Sequence, residues 1–119
     1  LSRVQGMSDA VIDSELSFLN WDNLSVLSDA DLVISTAPAG VTDSIELPQK
    51  TTAPFFEALY MPWPTPASAL WASRGGFVID GLDLLIHQAI AQIQIFTGKV
   101  FDSAAMYAQL RSVGLAALK

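Results

Sequence analysis

Cysteine is absent and histidine occurs once, at His87, so disulfides, thiolate metal sites and cysteine nucleophiles are excluded and no metal centre is assigned. A chain without cysteine fits a reducing, cytoplasmic setting. Charge is scarce too: charged residues make up 15% of the 119-residue chain, against about 25% in typical soluble domains. The 6 basic residues stand against 12 acidic ones, a net charge of −6, which argues against docking on nucleic-acid phosphates or anionic lipid. Long apolar runs are missing as well. The most apolar stretch, Leu82 to Phe96, is broken by Asp83, His87, Gln88, Gln92 and Gln94, whereas a membrane span needs about 20 nearly unbroken apolar residues. A Gly-x-Ser-x-Gly elbow and a glycine-rich dinucleotide fingerprint are both lacking. Leu1 is not a methionine, and nothing near it reads as a secretory signal. The expectation is a chain that starts inside a longer protein.

What is present is apolar side chain. Hydrophobic residues reach 51%, enough for one domain-sized core and more than a chain of this length covers by itself.

The hydrophobic pattern alternates between strand and helix. Asp9 to Leu16 reads as a short helix, Leu16 to Leu19 as a short strand and Trp21 to Leu27 as a helical turn. DLVIST, Asp31 to Thr36, is a compact β-branched run closed by APAG, the pattern of a central parallel strand covered on both faces. FFEALY, Phe55 to Tyr60, gives a second strand. Thr65 then caps and Pro66 opens a helix that runs to Arg74 and is closed by Gly75 and Gly76. Phe77 to Ile79 is a third strand, and Asp80 caps a long helix from Gly81 to Thr97, stopped by Gly98. A last helix spans about Asp102 to Leu118, with Met106, Leu110, Val113 and Ala117 on one face. The fold class is therefore α/β, with a parallel sheet and right-handed crossovers.

Ligands of open α/β sheets bind beyond the carboxyl ends of the strands. Three turns lie there: Ser35 to Gly40, Tyr60 to Pro66, and Asp80 with Gly81. At about 100° per residue, the long helix carries a wide apolar face (Leu82, Leu85, Ile86, Ala89, Ile90, Ile93, Phe96) and a narrower one (Leu84, Ala91, Ile95). Gln88 and Gln92 fall between them, where a partly buried amide either binds a polar ligand or pairs with backbone. His87 lies on the polar stripe with Asp83 and Gln94, and reads as a solvated helix histidine. Glycine at position 81 leaves room for a flat ligand to approach the backbone. Tyr60 is either a phenol facing a site or a strand-end aromatic.

Three linked motifs resemble the carboxyl-terminal part of shikimate dehydrogenase: DLVISTAPAG at Asp31 to Gly40, EALYMPWPTP at Glu57 to Pro66, and DGLDLLIHQA at Asp80 to Ala89. The resemblance is clear from about Ala30 to Gly98, and the final helix fits loosely. It implies a partial Rossmann-like three-layer fold over residues 1–119, the distal half of a parallel sheet with flanking helices. The implied cofactor is NADP, and the implied substrates are shikimate and 3-dehydroshikimate, with quinate as a further substrate of related enzymes. By position, Gln88 and Tyr60 would bind substrate, Thr36 and Ala37 would line the cofactor cleft, and Gly81 and Leu84 would lie against the nicotinamide. Glu57 stands where the family more often has aspartate, and Leu84 where methionine is usual.

The family's phosphate loop, its 2′-phosphate motif and its substrate domain with the catalytic lysine and aspartate have no counterpart here. No residue of this chain is assigned a catalytic role, and the chain is expected to be silent alone. An unpaired sheet edge and an unpartnered final helix imply self-association through one or the other. The competing reading is a non-catalytic interaction domain built on half a sheet.

Overall fold

The computed structural model describes residues 17–118. A 3-10 helix, Trp21–Asp29, leads into β1 (Val33–Ser35), β2 (Phe55–Glu57), α1 (Pro66–Ser73), β3 (Val78–Ile79), α2 (Gly81–Thr97) and α3 (Ser103–Ala117). The three strands form one parallel sheet in the order β1-β2-β3, with Val33 opposite Phe55 and Phe55 opposite Val78. This is the α/β class expected, with helices flanking a parallel sheet. The expected helix over Asp9 to Leu16 lies outside the described residues. Ser17 to Leu19 are irregular, so the strand expected there does not form in its described part.

Capping sets the helix boundaries. Thr65 Oγ1 accepts from the Ser68 N–H at 3.1 Å with Pro66 at the first helical position, and Asp80 Oδ1 accepts from the Asp83 N–H at 2.8 Å. Asp102 Oδ1 accepts from both the Ala104 and Ala105 N–H groups at 3.0 Å. Gly98 ends α2 at φ 64°, a left-handed conformation that favours glycine.

Two apolar cores result. Val33, Leu47, Ala53, Phe55, Ala67 and Trp71 form the first, between the sheet and α1. Trp71 is its centre: fully buried, stacked on Phe55 with ring centroids 5.0 Å apart, and donating from Nε1 to the Ala53 carbonyl at 2.9 Å. A β-carbon on Gly76 would come within 2.2 Å of the Trp71 ring, so the turn after α1 closes only over glycine. Arg74 pins the incoming loop by donating from Nη1 to the carbonyls of Leu47, at 2.6 Å, and Pro48, at 2.7 Å.

The second core is the α2–α3 contact: Leu82, Ile86 and Ile90 against Met106, Tyr107, Leu110 and Leu118. It is narrower than the sequence pattern suggested. Helix α3 is a single cylinder and covers only one stripe of α2, so Leu85 stays 42% and Phe96 83% exposed. Val113 and Ala117 are exposed as well, and Tyr107 takes the place expected for them on the packed face.

Strand β1 departs from expectation. Among the described residues it ends the sheet order instead of lying centrally, and Ile34 is 57% exposed, so its two faces are not both covered by them. The Val33 N–H bonds to the Pro54 carbonyl and the Ser35 carbonyl accepts from Ala58, both toward β2. Strand geometry then turns the N–H and C=O of Ile34 to the open edge.

Replacing Trp71 by phenylalanine keeps the stacking surface but strands the buried Ala53 carbonyl. Urea unfolding followed by circular dichroism is expected to show a loss of about 1 to 3 kcal/mol.

Candidate functional site

The carboxyl ends of β1 and β2 and the amino end of α2 meet through backbone. Ala58 donates to the Ser35 carbonyl at 2.9 Å, and Gly81 donates to the Leu59 carbonyl at 3.2 Å. A β-carbon on Gly81 would lie 2.1 Å from the Ala58 oxygen and 2.9 Å from the Leu59 carbonyl carbon. The space that glycine leaves is thus filled by the backbone following β2, not kept open for a flat ligand on that side.

Glu57, the last residue of β2, is completely buried. Its Oε1 accepts from the Leu59 N–H at 3.4 Å and its Oε2 from the Thr65 hydroxyl at 3.3 Å. One carboxyl therefore spans both ends of the Ala58–Pro64 loop. Tyr60 stands on that loop, exposed, and with Met61, Pro62 and Trp63 it faces Leu115 and Leu118 across a cavity of about 550 Å³.

Thr36 and Ala37 line a different cavity, of about 420 Å³, with Ser35, Pro38, Val41 and Thr42. The Ser35 hydroxyl oxygen is shielded there and has no hydrogen-bond partner. Among the described residues no charged side chain lines this cavity.

Leu84 and Gln88 share one stripe of α2, a turn apart, opposite the stripe that α3 covers. Both are exposed, as is Gln92. The expected partial burial of these two amides does not occur, because the narrow apolar face of α2 has no neighbour: Ile95 is 77% exposed. Gln88 lines neither cavity. The structure thus brings Thr36 and Ala37 together, and Leu84 and Gln88 together, with Gly81 linking α2 to the segment that carries Tyr60.

Sequence reasoning missed Arg111. Its guanidinium grips Asp80, with Nη2 to Oδ2 at 2.6 Å and Nη1 to Oδ1 at 3.1 Å, and Nη1 also donates to Asp83 Oδ1. The Tyr107 hydroxyl donates to the same Asp83 oxygen, and its ring stacks on His87 at 5.1 Å between centroids. The available signal was the pairing of two helix-start aspartates with the one arginine of α3. Burial pushes the Asp80 carboxyl up, but the Arg111 hydrogen bond and backbone N–H groups outweigh it and hold it below the usual range. The hydrogen bond to Asp83, then burial, pushes the Tyr107 phenol up. Hydrogen bonding to Asp80 raises Arg111 further, so the guanidinium stays charged. Among the described residues no cluster of metal-ligating side chains occurs, and no helix is long and apolar enough to cross a membrane.

This geometry defines an α/β fold, a parallel sheet flanked by helices with turns at the strand carboxyl ends. Comparison with known proteins carries the class to a family. The family model of the shikimate 5'-dehydrogenase C-terminal domain matches residues 81–111. The NADP(+) shikimate dehydrogenase of Crocosphaera subtropica is 25% identical over 119 residues, covering 90% of this chain and 41% of that protein. That of Afipia carboxidovorans is 30% identical over 90 residues, covering 71% of this chain and 32% of that protein. Among solved structures, Mycobacterium tuberculosis shikimate dehydrogenase matches with a TM-score of 0.61 and 36% identity, covering 76% of this chain and 35% of that one. The Thermus thermophilus enzyme in complex with shikimate has a TM-score of 0.58 at 20% identity, a likeness of fold. The chain is thus similar to the carboxyl-terminal part of shikimate dehydrogenases. It spans about two fifths or less of the length of these curated relatives. The family match reaches into α3, which the sequence motifs had tied only loosely.

Two outcomes test this site. Gly81→Ala forces its methyl group into the Ala58 carbonyl and is expected to lower stability by about 2 to 3 kcal/mol in chemical denaturation. Because the folded-state pKa of Asp80 is lowered, its contribution is present above the unfolded value of 3.8 and lost as pH falls through the folded one. Thermal melts are expected to fall below about pH 4, and Asp80→Asn to flatten that part of the profile.

Proposed function

We propose that this chain is the distal part of the NADP-binding domain of a cytoplasmic shikimate dehydrogenase, whose intact form reduces 3-dehydroshikimate to shikimate with NADPH. The observation that carries the reading is the DGLDLLIHQA segment: a capped helix that starts against the end of β2 and presents Leu84 and Gln88 on one uncovered stripe. In this reading the Gln88 amide and the Tyr60 phenol hold substrate hydroxyl groups. Leu84 and Gly81 border the nicotinamide, and Thr36 and Ala37 border the cofactor cleft. The cavity beside Thr36 and Ala37, with its unpartnered Ser35 hydroxyl, supports their place at the cofactor cleft. The cofactor supplies the hydride, and the chain's residues bind and orient.

Phosphate binding and the proton-handling lysine and aspartate lie outside the 119 residues in this reading, so the isolated chain is inactive. Quinate accompanies shikimate as a substrate only if substrate-domain residues permit it. The exposed β1 edge around Ile34 supports self-association of the isolated chain, the alternative surface being α3.

The test is NADP⁺ reduction with shikimate, measured by absorbance. The 119-residue chain is expected to give none, and the protein expressed from its complete coding sequence to turn over. In that protein Gln88→Ala is expected to raise the shikimate KM about five- to tenfold. An unchanged KM removes the ligand role of Gln88, and an inactive complete protein favours an interaction domain instead.

A further inference from the structure

We propose that Arg111 is a positioning residue for the ligand-facing stripe of α2, an inference that rests on the functional reading above. The first turn of α2 is held from two sides. On the β2 side it is fixed by backbone alone, through Gly81 on Ala58 and Leu59. That contact sets where the helix starts, and the packing of Leu82, Ile86 and Ile90 sets which face it turns to α3. On the other side, the forked guanidinium of Arg111 holds Asp80 through both carboxylate oxygens and Asp83 through one. Asp80 is the cap and Asp83 lies in the first turn, so the fork spans the start of the helix and holds that orientation where the packed face gives out. Tyr107, one turn before Arg111 on α3, donates to the same Asp83 oxygen and stacks on His87. The polar stripe Asp83–His87 is thereby strapped to α3, which leaves Leu84 and Gln88, next to it around the helix, at a fixed angle to the strand ends.

A bidentate fork differs from a point charge in this respect. Lysine would keep the charge and lose the second contact that resists rotation. The Arg111 side chain is 28% exposed and its guanidinium is engaged by both carboxylates, so it acts through Asp80 and Asp83.

The experiment compares wild type, Arg111→Met, Arg111→Lys and Asp83→Asn in the protein expressed from its complete coding sequence, with kcat and KM determined separately for shikimate and NADP⁺. Arg111→Met is expected to raise KM about fivefold with kcat within about twofold of wild type, and Arg111→Lys and Asp83→Asn to fall between. Amide exchange on the 119-residue chain is expected to quicken in Arg111→Met from Leu84 to Gln88 while α1 keeps its protection. Should Arg111→Met fail to fold, Arg111→Lys and Asp83→Asn carry the same comparison. KM values equal to wild type in these variants overturn the proposal even if exchange quickens, since a merely stabilising bridge would give that result. A wild type without shikimate-dependent turnover overturns the functional reading, and is told apart because no variant is then needed to see it.

Discussion

The backbone contact between Gly81 and the Ala58–Leu59 segment fixes the rest of this structure. A strand end and a helix start are brought to atomic contact, with an N–H of one bonded to a carbonyl of the other. Any side chain at position 81 would push the helix away from the sheet. Because α2 starts there, its Leu82, Ile86 and Ile90 face the stripe that α3 covers, and α3 in turn lies where Leu115 and Leu118 approach the Tyr60 loop. The two cores share no buried side chain, so this backbone joint and the segment through it tie the sheet to the helical pair.

Five charged groups act at such joints. Asp80, Asp83 and Arg111 bind the two long helices together; Arg74 ties the end of α1 to the loop before β2; Glu57 closes the loop that carries Tyr60. Broad apolar surface stays open beside them, as at Ile34, Phe77, Ile95 and Phe96.

Local signals were legible in the sequence. Thr65 with Pro66, Asp80, Asp102 and Gly98 each state a boundary through chemistry confined to a few neighbours, and the helix from Gly81 to Thr97 follows from them. The relation to shikimate dehydrogenase was legible in the three motifs for the same reason: each is short and contiguous. What the sequence could not show depends on distant partners. The wheel of α2 has two apolar faces, and only the docking of α3 decides that one is covered and that Gln88 stays in water. Arg111 reaches Asp80 across 31 positions, and nothing periodic announces that pairing. Gly81 was singled out for the right property, an absent side chain, but the neighbour that uses it is the chain's own backbone.

The open edge of β1 also has a symmetry. Ile34 offers one N–H and one C=O to a neighbour, in a sheet whose strands all run the same way. A two-fold axis normal to the sheet at this edge reverses the second copy, so two such chains pairing there lie antiparallel and the pattern of the sheet stops at the junction. Continuation in the parallel sense requires a segment that is not the two-fold mate of β1. The edge therefore distinguishes, by direction alone, a copy of itself from a strand that would extend the sheet.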